Sequence, residues 1–102
     1  MPHYIFSLRA EADLDDIITF TIDRWNKAQA DRYVAALDDC CQRLADNPLI
    51  GRACDEFLPG LRRMEQGSHV VFYRQRDYGV RIIRILHKRM LPARHITEDD
   101  ED

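Results

Sequence analysis

The chain has 102 residues, of which 45 % are hydrophobic, enough for one domain whose interior needs no disulfide or metal staples. No apolar run is long enough to cross a bilayer, which excludes a helical membrane protein. The formal charge of −3 hides a division: residues 1–48 carry 5 basic and 9 acidic side chains, residues 49–97 carry 10 and 4, and residues 98–102 are all acidic.

Tyr4, Phe6 and Leu8 alternate with His3, Ile5 and Ser7, the period of a short first strand. Ser7 is placed to cap a helix, and the acids Glu11, Asp13, Asp15 and Asp16 suit a helix N-terminus. From Ala10 to Trp25 the period becomes helical: Ala10, Leu14, Ile17, Ile18, Thr21, Ile22 and Trp25 share one face. Phe20 falls outside that stripe, as an edge residue or part of a contact surface. Asn26 followed by Gln29 resembles a capping box and starts a second helix. Its stripe is Ala30, Tyr33, Val34, Leu37, Cys41, Leu44 and Ala45, with Cys40 at the margin. Pro48 stops it, because the residue before a proline is pushed out of helical geometry. Two amphipathic helices with almost no linker form an antiparallel hairpin, with Trp25 and Tyr33 expected to pack at its base.

Residues 48–60, punctuated by Pro48, Gly51, Pro59 and Gly60, read as an ordered loop. A β-meander follows: Leu61–Glu65, a turn at Gln66-Gly67, Ser68–Arg76, a turn at Asp77-Tyr78-Gly79, then Val80–His87. The unbroken apolar run Val70–Tyr73 implies an inner strand buried on both faces. Strict alternation in the last strand puts Val80, Ile82, Arg84 and Leu86 on one face and Arg81, Ile83, Ile85 and His87 on the other. Each face then mixes apolar and basic residues. One must lie on the helices, and the other is left apolar and basic, suited to a partner. Residues 1–97 are expected to form one domain, and 98–102 a disordered, solvated acidic tail.

Chemistry-bearing motifs are sparse. The four glycines sit at turns, with no phosphate-binding loop. No histidine or cysteine spacing suggests a metal, so no cofactor is expected. Cys40, Cys41 and Cys54 are an odd set without a framework. With no basic-then-apolar leader after Met1, the expected location is the cytoplasm. Ser7 and Ser68 are explained by capping and turn roles, and the early acids by a solvated helix end. The serious candidates are the basic side chains of the sheet half: Arg62, Arg63, Arg74, Arg76, Arg81, Arg84, His87, Lys88, Arg89, Arg94 and His95. Nine of the ten Lys and Arg residues in 49–97 are arginine, whose planar fork matches carboxylate and phosphate. An ordinary charged outer face is the simpler alternative.

Several segments, in order, resemble one family: Ala12–Ile17 opening the first helix; Arg24-Trp25-Asn26-Lys27-Ala28-Gln29-Ala30, close to a Trp-Gly-x-x-Gln pattern with Asn26 in place of glycine; Asn47–Arg52; Pro59-Gly60-Leu61-Arg62-Arg63; Gly67–Arg74; and Ile82–Met90. Together they are similar to the ParE toxins of the RelE/ParE toxin–antitoxin superfamily. The resemblance spans Leu8 to Ile96 and leaves out the acidic end. It implies an α/β (α+β) fold of order β-α-α-β-β-β, a helical hairpin packed on a mainly antiparallel sheet. It also implies a ParD-like antitoxin as partner in a hetero-oligomer, DNA gyrase as the target, and no catalytic chemistry. No direct sequence-specific DNA binding is expected. The antitoxin contacts expected on the sheet are Arg62, Arg63, Tyr73, Arg84, His87 and Met90. An Arg84→Glu change is then expected to weaken antitoxin binding in a salt-dependent way. The alternative is a RelE-like ribosome-dependent mRNA endonuclease using Arg63, Arg84, His87 and His95. A non-toxic binding module is a third reading.

Overall fold

The structure, a computed structural model, describes residues 1–97; the acidic run expected to be a disordered tail lies outside the described residues. The elements are β1 (His3–Phe6), α1 (Leu8–Arg24), α2 (Lys27–Asp46), β2 (Arg52–Ala53), β3 (Leu61–Gln66), β4 (His69–Arg76), β5 (Gly79–His87) and α3 (Pro92–His95). The strands form one sheet in the order β1-β5-β4-β3-β2. Only β1 runs parallel to its neighbour, β5; the other pairs are antiparallel. The helical hairpin covers one face. The α+β architecture implied by the resemblance is the observed one, with β4 an inner strand buried from Val70 to Tyr73.

Both caps form as read. The Ser7 hydroxyl accepts from Ala10 N at 3.0 Å and donates to Ile83 O at 2.7 Å, so it starts α1 and ties it to β5. Asn26 Oδ1 accepts from Gln29 N at 2.7 Å. The stripe of α2 is buried at Ala30, Leu37, Cys41, Leu44 and Ala45, as expected, and half-buried at Tyr33 and Val34; Cys40, expected at the margin, is buried as well. The stripe of α1 is not: only Ala10 and Ile17 are fully buried. The N-terminal part of α1 crosses the sheet and its C-terminal part overhangs, leaving Ile22 and Trp25 exposed. Trp25 therefore does not pack at the hairpin base.

Two short elements escape sequence reading. β2 has two residues and no period of its own; it exists because Arg52 and Ala53 pair with Arg63 and Arg62. α3 is a single turn with Pro92 at its start.

A β-bulge corrects the faces of β5. Tyr73 pairs with Ile82 but Phe72 with Arg84, so Ile83 has no partner across the ladder. One extra residue reverses the alternation after it. Val80, Ile82 and Ile85 thus all join the core under the helices, while Ile83 and Leu86 join a second core on the opposite face. The Ile83 carbonyl is the one that Ser7 satisfies. The second face is not left open along its length: Cys54, Leu58 and Ile96 cover it.

Tyr73 anchors the loop after α2. Its ring is fully buried; its hydroxyl donates to Pro48 O at 2.8 Å and accepts from Gly51 N at 2.9 Å. A Cβ on Gly51 would stand 2.7 Å from Tyr73 Cε1. Because the ring has no room to retreat, Gly51→Ala is expected to cost about 1–3 kcal/mol. Urea unfolding checks this, and an unchanged midpoint would mean that the loop simply shifts.

Candidate functional site

A groove of about 540 Å³ runs between the overhanging end of α1 and the β4–β5 end of the sheet. α1 supplies Asp13, Asp16, Phe20 and Thr21 to its lining, and Trp25 follows at the hairpin turn. α2 supplies Tyr33, β4 His69, β5 Ile85 and His87, and the segment after β5 Met90. Phe20 and Trp25 are 62 % and 69 % exposed. Large aromatics are enriched at protein interfaces relative to the rest of a protein surface. No lysine or arginine lines the groove among the described residues.

Its floor is polar and tightly bonded. The Tyr33 hydroxyl lies 2.6 Å from His69 Nδ1, donates to Gln66 O at 3.2 Å and accepts from Ser68 N at 3.0 Å. This ties α2 to the β3–β4 turn, where Gly67 leaves room: a Cβ there would fall 2.7 Å from the Tyr33 hydroxyl oxygen. His69 and His87 stand opposite each other across β4 and β5, with ring centroids 5.4 Å apart. His87 Nδ1 accepts from Arg89 N at 3.1 Å. Burial pushes the His69 pKa below the ordinary 6.5; His87 pushes the same way and Asp13 opposes. Burial also raises the Tyr33 hydroxyl above its usual range.

The linkage has a definite sign. The unfolded chain takes up this proton at higher pH than the folded one, so stability is whole above pH 6.5 and declines as pH falls below it. The fall in unfolding midpoint from neutral to mildly acid pH is expected to shrink in His69→Gln. Equal slopes in the two proteins would remove His69 as its source.

The six expected contacts are dispersed. His87 and Met90 line the groove. Arg62 braces the loop after α2, donating from Nη1 to Gly51 O at 2.7 Å. Arg63 lies over the Phe72 ring, 5.3 Å from its centroid, on the face away from the helices. Tyr73 is buried and presents nothing to a partner. Arg84 is taken by its own chain: Nε and Nη2 donate to the Asp13 carboxylate at 2.8 and 2.9 Å, and Nη1 donates to His95 O at 2.6 Å. Asp13 also accepts from Ile85 N at 2.9 Å. Asp13 is thus a structural clamp, where sequence suggested only a solvated helix end. Of the groove residues that sequence reading did not select, Phe20 carried a signal, its departure from the α1 stripe. His69 carried none.

The thiols are shielded. Cys40, Cys41 and Cys54 are all buried and unpaired. Burial is the leading cause that pushes Cys41 up to about 12 and Cys54 to about 11, so both stay protonated and unreactive near neutrality. No group of three or more His, Cys, Asp or Glu is disposed to hold a metal among the described residues.

Residues 4–92 match the family of the ParE toxin of type II toxin–antitoxin system, parDE. A relative, Toxin ParE1 of Mycobacterium tuberculosis (strain CDC 1551 / Oshkosh), is 46 % identical over 88 residues, which cover 85 % of this chain and 90 % of the relative. In fold, the chain is similar to a structure of the chromosomal ParDE toxin–antitoxin system from P. aeruginosa (TM-score 0.70, 21 % identity, 85 % of this chain and 96 % of that one). It is also similar to the toxin–antitoxin complex RelBE2 from M. tuberculosis (TM-score 0.64, 24 % identity, 86 % and 100 %). With the family match running from the first strand to the start of α3, and 46 % identity to a ParE toxin over 88 residues, the chain belongs to the ParE toxin family of type II toxin–antitoxin systems.

Proposed function

We propose that this toxin arrests growth by inhibiting DNA gyrase, and that a ParD-like antitoxin neutralises it by laying an amphipathic segment into the groove beside α1. The observation that carries the antitoxin site is the joint exposure of Phe20, Trp25 and Met90 along one groove. An apolar helix face fits such a groove through anchors spaced a turn apart. Of the expected contacts, His87 and Met90 remain in this proposal, joined by Phe20 and Trp25. Gyrase and antitoxin would both be met in the cytoplasm, and no described helix is long and apolar enough to cross a membrane. The test is purified protein with gyrase and relaxed DNA, with and without antitoxin. Supercoiling should fail, and antitoxin should restore it; supercoiling untouched at every toxin concentration would refute the target.

The RelE-like reading retains one observation. His69 and His87 pair across strands, and the Tyr33 hydroxyl bonds His69 in the same groove, types of group that can move protons. The other residues suggested for it are scattered: Arg63 lies on the opposite face and Arg84 is held by Asp13. Codon-specific cuts in a translation extract, lost in His87→Ala, would favour the nuclease.

A further inference from the structure

Helix α1 is a ridge between two grooves. Asp13, Asp16 and Phe20 face the groove already described. Leu14 and Ile18 face a second one, of about 370 Å³, bounded by α1, α2 and β1. The two grooves share no lining residue. The second exists because the apolar stripe of α1 is wider than the sheet beneath it. Ile17 is buried in the core, while Leu14 and Ile18, on its flank, stay half-buried. Ile22 continues that flank a turn further on and is 42 % exposed. Tyr4 and Phe6 of β1 also line the groove, their rings edge to face with centroids 5.3 Å apart. Val34 of α2 lines it from the other side. All three are half-buried, so each keeps surface that gains from being covered.

The charge of this groove has one sign. Asp31 and Asp38 line it, and neither lysine nor arginine does among the described residues. Both acids are exposed. They stand two turns apart on α2, a rise of about 10 Å, and so point the same way. Asp31 meets Lys27 at 3.0 Å, but the two side chains are 66 % and 79 % exposed. Such a surface pair is weak and yields to an incoming cation. The helical half of the chain shares the balance, with 9 acidic against 5 basic side chains in residues 1–48. An apolar groove between two helices, rimmed by carboxylates, repels an acidic segment. It fits a third helix that has an apolar stripe and basic flanks.

We propose that the groove between α1 and α2 docks a basic amphipathic helix of a protein partner. Lysines or arginines two turns apart on that helix pair with Asp31 and Asp38, and its apolar stripe covers Leu14, Ile18 and Val34. The site lies on the other flank of α1 from the groove given to the antitoxin, so the two can be filled together. It depends on neither the antitoxin nor the gyrase reading.

The probe is a fluorescein-labelled synthetic helix of about 18 residues, with a leucine stripe flanked by two lysines two turns apart. Its twin carries glutamates in place of the lysines. Anisotropy with the native chain should show the lysine helix binding at least about tenfold more tightly than the twin. Asp31→Asn with Asp38→Asn should weaken binding about tenfold at low salt, the sum of two exposed pairs, and high salt should remove the difference. Asp23→Asn with Asp39→Asn makes the same change of net charge at exposed positions outside the groove. That control should weaken binding by less than about twofold, as for charges acting only at long range. Ala35→Lys, at an exposed position within the groove, should abolish binding. Equal binding of the two helices overturns the proposal. Equal losses from the two pairs of aspartate changes do so too, as does full affinity in Ala35→Lys. Methyl resonances locate the contact: titration with the lysine helix should move those of Leu14, Ile18 and Val34. Shifts confined to Ile85 and Met90 would put the helix in the other groove and overturn the proposal. Sedimentation should find the free chain monomeric; a dimer broken by Ala35→Lys would give the groove to a second copy of this chain and also overturn it.

Discussion

Arg84→Met is expected to lower the unfolding free energy by about 3–5 kcal/mol, the scale for breaking a largely buried ion pair from one side. Arg84 and Asp13 are each only 14 % exposed, so the orphaned carboxylate cannot rehydrate freely. The loss also frees the His95 carbonyl, and with it the segment leading to Ile96. Asp13→Leu should cost a similar amount, since it removes the carboxylate that the guanidinium faces and the acceptor of the Ile85 N–H. The double variant Asp13→Leu/Arg84→Met should recover part of the loss, because removing both charges avoids an uncompensated one. Recovery stays incomplete because Ile85 N–H and His95 C=O still lack their partners. Urea unfolding of the four proteins at one pH measures the cycle. Single-variant losses below about 1 kcal/mol, the scale of an exposed pair, would show that the clamp is not a structural element. For the same reason Arg84→Glu cannot report on partner contact: it sets a carboxylate against Asp13 and attacks the fold first.

Phe20→Ala and Trp25→Ala are each expected to weaken antitoxin binding by roughly 30-fold, the equivalent of about 2 kcal/mol for an anchor residue. Both rings are mostly in water in the free protein, so stability should change little. A loss confined to binding separates them from core residues. Leu8→Ala is the control: Leu8 is also exposed but is not among the groove residues. Calorimetry with the purified ParD-like antitoxin decides it. Full affinity in both aromatic variants would move the antitoxin to another surface, and the gyrase assay would be unaffected by that outcome.

The amino-acid sequence by itself determined the local elements, because their signals are local. The helical period of residues 10–25 and 30–45, the caps at Ser7 and Asn26, the stop at Pro48 and the turns at Gly67 and Gly79 each involve neighbours a few residues apart. The double burial of Val70–Tyr73 followed from its unbroken apolar run. Tertiary structure alone decided which faces those elements show. Alternation predicts a face only along an uninterrupted ladder, and the bulge at Ile83 reverses it midway through β5. The Arg84 side chain looked available because its partner, Asp13, is 71 residues away in sequence. Trp25 looked buried because helical period says which residues align, not how far along the helix the sheet extends. The groove follows from that overhang, a matter of relative length and placement that no window of sequence contains.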